Sequence, residues 1–285
     1  MPFFSFFPTP ILSLTLSDVS LRRTLLLSLL MAYAAGAIAQ TKPKTYTYLI
    51  YHKLNPGLTI QDALPVEREW RKINQAAVDE GKLEGWYMTV KQFTSNPDQT
   101  EYDYVTKIVS PEMAMKGASP EAMKRIYGDS VQIKMADLQR RDRATAPVVR
   151  IEIWENTEAS FAPTFAPNGS SLMVIDWLRR RNPGADYEGS VGQLKRLNEE
   201  RVKKNALLGW DFSALVVPNG SEKGYELAST QYVTNLSALT NPAQTAGSAA
   251  SAQTYKQVRR QLEQTFDIVR QEVYRFQEFT TKPSN

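Results

Sequence analysis

The chain carries one histidine, His52, and no cysteine. An imidazole is the side chain that changes charge nearest neutral pH, so His52 is the candidate catalytic residue. Tyr48, four residues earlier, shares its strand face and is a candidate ligand contact. Asp176 stands beside Trp177 inside the apolar run Leu172–Leu178, and Arg150, Glu152 and Trp154 alternate along one strand. Polar groups set among aromatics orient a small ligand when their face lines a cavity; at a strand end the same groups make an ordinary solvated ion pair. Without cysteine there are no disulfides, thiolate metal sites or cysteine nucleophiles. One histidine and carboxylates without calcium-loop spacing predict no metal site, and no cofactor is expected. No phosphate-binding glycine loop, dinucleotide fingerprint, nucleophile elbow or HExxH occurs.

The elements that must position these residues are readable from period and punctuation. Tyr46–Lys53 reads as a strand closed by the turn Asn55-Pro56-Gly57. Val66, Trp70, Ile73 and Ala77 fall on one helical face, with Pro65 suited to the first turn and Gly81 and Gly85 beyond the end. Trp86–Phe93 and Tyr102–Val109 form an expected hairpin. Ser119-Pro120-Glu121 opens a helix interrupted near Gly128 and ending about Arg143, and Val148–Glu155 is a fourth strand. Thr157–Ser171 reads as a linker. The order then restarts: strand Leu172–Arg179, turn Asn182-Pro183-Gly184, helix Tyr187–Leu208, strands Trp210–Val217 and Tyr225–Val233, loop Asn241–Thr254, helix Tyr255–Val269 and strand Tyr274–Phe279.

Three landmarks recur in order. Asn55-Pro56-Gly57 returns at Asn182, Gly85-Trp86 at Gly209-Trp210, and the strand-opening Tyr102 at Tyr225. This is the signature of an internal repeat, and each copy reads βαββαβ, the ferredoxin-like order. With these landmarks each copy resembles the dimeric α+β barrel superfamily. The resemblance implies an α+β fold: two tandem ferredoxin-like units, residues 40–157 and 172–285 around the linker 158–171, whose antiparallel sheets pack face to face into one barrel. Members of the superfamily include cofactor-independent monooxygenases and haem enzymes related to chlorite dismutase. The haem relatives hold their ligand histidine in the second half, where this chain has none. Repeated residues such as Trp86 and Trp210 are read as packing; the unrepeated His52, Asp176 and Arg150/Glu152 are where activity is sought.

Composition bounds the rest. With 42% hydrophobic and 22% charged residues the chain is globular. Arg22-Arg23, the apolar run Leu25–Ala35 and Ala37-Ile38-Ala39 have the form of a secretory signal peptide spanning residues 1–39, so the chain is expected to be exported, periplasmic or secreted. Removing those residues takes away Asp18, Arg22 and Arg23 and lowers the net charge from +4 to +3. So small an excess predicts no nucleic-acid partner, and an apolar run of roughly eleven residues, short of the roughly 20 that a spanning helix needs, predicts no stable membrane insertion of the mature chain. A homodimer is compatible with all of this. The leading expectation is non-enzymatic binding of a small apolar or aromatic ligand, or of a protein partner. The alternative is a cofactor-independent monooxygenase or isomerase that uses His52 inside the barrel.

Overall fold

In the computed structural model the described residues are 44–281, apart from Pro97, Gln99, Thr164, 185–186, 221–222 and 241–248. The expected signal peptide lies outside them. Each β-rich, alternating run becomes a strand: β1 Thr45–His52, β2 Gly85–Thr94, β3 Tyr104–Ser110, β4 Val148–Phe161, β5 Leu172–Arg180, β6 Gly209–Val217, β7 Leu227–Val233 and β8 Phe266–Phe279. The helices are α1 Ile60–Asp79, α2 Pro120–Tyr127, α3 Val131–Thr145, α4 Glu188–Lys203, the single turn α5 Ser237–Thr240, and α6 Ala249–Thr265. Among the described residues no helix is long and apolar enough to cross a membrane.

Local chemistry explains most of the boundaries. Ser119 accepts the Ala122 amide at 3.1 Å and caps α2, and Gly128, at φ +62°, separates α2 from α3. The Asp62 carboxylate accepts the Thr59 amide at 2.8 Å, so α1 starts one turn before Pro65 and encloses that proline. Three expectations are corrected. β4 continues to Phe161 and takes up the first residues of the expected linker, because their pairing with β6 supplies the hydrogen bonds that a loop would lack. Residues 249–254, expected as loop, are helical. Residues 266–269, expected as helix, open β8 against β5.

All strand pairs are antiparallel, and the closed order is β1-β3-β2-β8-β5-β7-β6-β4. Taken as two segments, it is β4-β1-β3-β2 joined to β8-β5-β7-β6. The two four-stranded sheets therefore do not simply lie face to face. They zip together at both edges, β2 to β8 and β4 to β6, each with register shifts. Closure leaves no free edge, and bulges supply the bend. One set of side chains points into the barrel, around Leu49, Tyr51, Trp154, Trp177 and Tyr274. The other set meets the helices: α4 and α6 over β5–β8, and α1 over β1–β3, with α3 packed on α1.

The Gly-Trp pairs occupy the strand starts. Trp86 and Trp210 are buried on the helix side, and the Trp210 indole N–H donates to Ser229 Oγ at 3.0 Å. Their glycines lie under aromatic chains on the barrel side. An added Cβ at Gly209 would collide with the Phe161 ring, and one at Gly85 with the end of Tyr87.

Candidate functional site

The end of the barrel nearest His52 is filled by two buried carboxylates in matching surroundings. Glu152 accepts Tyr51 Oη at 2.8 Å, Tyr225 Oη at 2.7 Å and Trp154 Nε1 at 3.2 Å, with Lys223 and Arg150 beside it. Glu272 accepts Tyr102 Oη at 2.5 Å, Trp177 Nε1 at 2.7 Å and Tyr274 Oη at 2.8 Å, with Arg270 beside it. The register pairs Tyr51 with Arg150 and Trp177 with Arg270. Each of the landmark tyrosines thus donates to the glutamate of the other four-strand segment. Glu101 bridges Arg150 and Arg270. Burial works against ionisation of Glu152, yet Arg150, Lys223 and Tyr225 outweigh it and hold its carboxyl below the usual range.

This arrangement corrects one sequence reading. Arg150, Glu152 and Trp154 do share the barrel face, but they are not unrepeated: Arg150-x-Glu152-x-Trp154 returns as Arg270-x-Glu272-x-Tyr274. Every carboxylate oxygen in the pair is hydrogen-bonded, so the assembly ties the segments together and leaves no acceptor for a ligand.

The other end of the barrel is different. Lys107 from β3 and Asp211 from β6 form an ion pair at 3.2 Å, and both are buried. Tyr232 from β7 donates to Asp211 at 2.7 Å and also accepts from Lys107. Burial first, then the Asp211 charge, push the Tyr232 hydroxyl far above its ordinary pKa, so it remains a proton donor. These groups line a cavity of about 90 Å³ walled by Tyr87, Phe161, Phe165 and Phe276. None of the three is repeated. Register pairs Gly85 with Val109 and Gly209 with Tyr232, Tyr87 with Lys107 and Asp211 with Thr230. Val109, Thr230 and Tyr87 therefore stand where the other segment has Tyr232, Lys107 and Asp211. Sequence reading passed over all three, although comparing the two four-strand segments position by position exposes them.

His52 and Tyr48 lie outside the barrel. Their strand parity turns them toward α1 and α3, whereas Thr47, Leu49 and Tyr51 face inward. His52 stacks on Tyr104 with ring centroids 4.5 Å apart. Its nitrogens meet Ala146 O at 3.2 Å and Thr106 Oγ1 at 3.0 Å, and burial lowers its pKa to about 4. The imidazole is neutral and satisfied, so the expected catalytic role of His52 inside the barrel is withdrawn. Its ring instead joins Glu67 of α1 and Asp142 of α3, with one ligand atom from each within 4.8 Å of the others. Sequence reading expected no such cluster. It is the described group best able to hold a cation, although Tyr104 already donates to Glu67 at 2.7 Å.

Asp176 is also on the helix side, away from Arg150, Glu152 and Trp154. Its carboxylate accepts Gln271 Nε2 at 2.6 Å, and burial raises its pKa. It lines a cleft of about 310 Å³ between β5–β7–β8 and the helices α4 and α6. Arg201 and Asn198 of α4 line the same cleft. Haem does not suit these residues: the chain's one imidazole lies on the helix side of β1, stacked on Tyr104, and the described cavity inside the barrel is about 90 Å³.

No protein-family model and no curated protein matches the chain. Among solved structures it is similar to a proposed monooxygenase from Fusobacterium nucleatum, at 11% identity over 85% of this chain and 95% of that one, with a TM-score of 0.51. A proposed monooxygenase from Lactobacillus acidophilus gives 10% identity, 85% and 97% coverage and 0.49; a proposed chlorite dismutase gives 11%, 82% and 95%, and 0.44. At 11% identity the likeness to the first of these concerns the fold alone, an α+β barrel.

Proposed function

We propose that the barrel mouth at Lys107, Asp211 and Tyr232 is an acid–base active site for a small molecule that carries an acidic hydroxyl or an enolisable carbonyl. The observation that carries this reading is an unrepeated, buried cation–carboxylate–phenol cluster facing an aromatic-walled cavity. In this reading the Asp211 carboxylate takes the substrate proton, and the oxyanion left behind sits against the Lys107 ammonium. Tyr232 keeps its proton and donates to whichever oxygen is charged. The aromatic walls hold the ring or chain of the substrate and exclude water, which strengthens each of these interactions. The isomerase or cofactor-independent monooxygenase expected at His52 is thereby moved to the opposite end of the barrel. The same proposal includes export of the chain by residues 1–39, descent of its halves from one duplicated unit, and a homodimer. The mass of the mature protein from its own host tests the first, and its native mass tests the last.

4-Nitrophenol tests the site. Bound to the wild-type chain it should show nitrophenolate absorbance at a pH where the free probe is protonated, because its proton passes to Asp211 and its oxyanion meets Lys107. The double variant Lys107→Met, Asp211→Leu removes the pair together and avoids an orphaned charge; it should bind the probe only in its protonated form. Identical titration of free and bound probe, or of both proteins, would sink the assignment. A purely binding role is favoured by a separate observation, the cleft under α4 and α6.

A further inference from the structure

Arg201 lies on α4 with its guanidinium almost entirely removed from solvent, at 4% exposure. Its hydrogen bonds go to Asn198 Oδ1 at 3.0 Å, Gln231 Oε1 at 3.0 Å and Ala238 O at 3.2 Å. All three acceptors are neutral, and no carboxylate pairs with it among the described residues. Among the described residues two donors at this point have no partner, Arg201 Nε and Asn198 Nδ2, although both residues are more than nine-tenths buried. Both residues line the cleft of about 310 Å³. A buried cation without a counter-ion is costly, and unmet buried donors add to the cost. Both costs fall if the occupant of the cleft brings an anionic oxygen pair.

The remaining walls define the rest of the occupant. Leu194 and Leu197 of α4, Leu262 of α6, and Phe266 and Ile268 of β8 give the cleft an apolar side. Asp176 stands on its floor, and Arg259 and Glu263 of α6, paired with each other at 2.9 Å, line it too; with Arg259 held by Glu263, the acids would repel a second anionic group. From these residues we infer that the cleft binds an amphipathic monocarboxylate of medium chain length, with its carboxylate against Arg201 Nε and Asn198 Nδ2 and its chain along the leucines. A guanidinium and an amide that both have N–H groups to spare can serve the two oxygens of a carboxylate, and an acyl chain matches the apolar wall. The volume lies at the lower end of that of small-molecule pockets, which sets the limit on chain length. The site is separate from the barrel mouth, so it stands whether or not that end of the barrel is catalytic.

Calorimetric titration of the full chain with octanoate, octan-1-ol and suberate tests the inference. Octanoate should bind, octan-1-ol should bind at least tenfold more weakly, and suberate, with a carboxylate at each end, should fail. Arg201→Gln should weaken octanoate at least tenfold and leave octan-1-ol unchanged. If that variant unfolds, Leu262→Trp, which fills the cleft from the other helix without touching the guanidinium, should abolish binding of both ligands. The inference is overturned if octanoate does not bind the wild-type chain. Equal binding of the alcohol and the acid, or octanoate binding that survives both substitutions, overturns it as well.

Discussion

Glu67 offers a direct measure of what the α1–α3 layer costs the fold. Its side chain is 1% exposed, Tyr104 donates to it, and Asp142 adds a second acid nearby. Burial raises its pKa from 4.5 to about 8, against the Tyr104 bond, which lowers it. A raised folded-state pKa means that the folded chain holds this proton more tightly than the unfolded chain. The resulting stability is full below 4.5 and is lost as the pH rises to about 8. At 1.36 kcal/mol for each pH unit, the whole loss is on the order of 5 kcal/mol. His52 acts in the opposite sense over a lower range. Its pKa is lowered from 6.5 to about 4, so its contribution is present above 6.5 and disappears on acidification. Between pH 6.5 and 8, Glu67 therefore acts without His52, and its share there is about 2 kcal/mol. Glu67→Gln keeps the shape of the protonated acid and cannot ionise. Urea unfolding of both proteins at intervals from pH 5 to 9 should give curves that diverge with rising pH, the variant becoming the more stable. A stability difference that does not change between pH 6.5 and 8 would refute the claim that Glu67 is buried and neutral there.

The glycines of the Gly-Trp pairs should differ in their tolerance, Gly209 being the more forgiving. Gly209→Ala meets the Phe161 ring and Gly85→Ala the ring and hydroxyl of Tyr87, and each should cost about 1–3 kcal/mol; Phe161 is 40% exposed and can swing aside, whereas Tyr87 packs against the barrel core, so Gly85→Ala should be the costlier, and thermal melts of the two variants decide. The crossed tyrosine–glutamate bonds should be coupled. In a double-mutant cycle, Tyr225→Phe with Glu152→Gln should show an interaction energy on the order of 1 kcal/mol or more, and a strictly additive pair would mean that the bond adds no stability.

Much of this architecture is legible in the chain because strands, caps and turns are local. Ser119-Pro120 starts a helix, Gly128 breaks it, and alternation in Val148–Glu155 makes a strand, whatever surrounds them. The misread segments share one cause. In 255–269 the helical spacing of apolar residues runs past Thr265, and only pairing with β5 converts Phe266 onward into a strand. Residues 157–161 are polar enough to pass for a linker until β6 lies beside them. Facing was harder still. β1 carries apolar side chains on both parities, because one meets the barrel and the other meets α1, so alternation could not say which side His52 would take. The cluster of His52, Glu67 and Asp142 and the pair Lys107–Asp211 join residues far apart in the chain, and nothing local in the sequence points from one to the other.

The likeness of the two segments keeps its meaning in a changed form. A feature present in both must serve what both do, which is to close a barrel, and the glutamates at 152 and 272 fit that demand: each draws a tyrosine from the opposite segment and leaves no oxygen unbonded. A feature present in one segment alone is not required for closure. Lys107, Asp211 and Tyr232 are such a feature, and so is Arg201, since the matching position on α1, counted back from each Gly-Trp pair, is Ala77. Burying a lysine–aspartate pair gains little stability over apolar residues of the same volume, and burying an arginine without a carboxylate loses some. Packing alone therefore accounts poorly for charge at these two places. Both line cavities. Asymmetry, burial of charge and open volume coincide at the barrel mouth and in the α4–α6 cleft, and there a bound molecule would complete the electrostatics that the fold leaves unfinished.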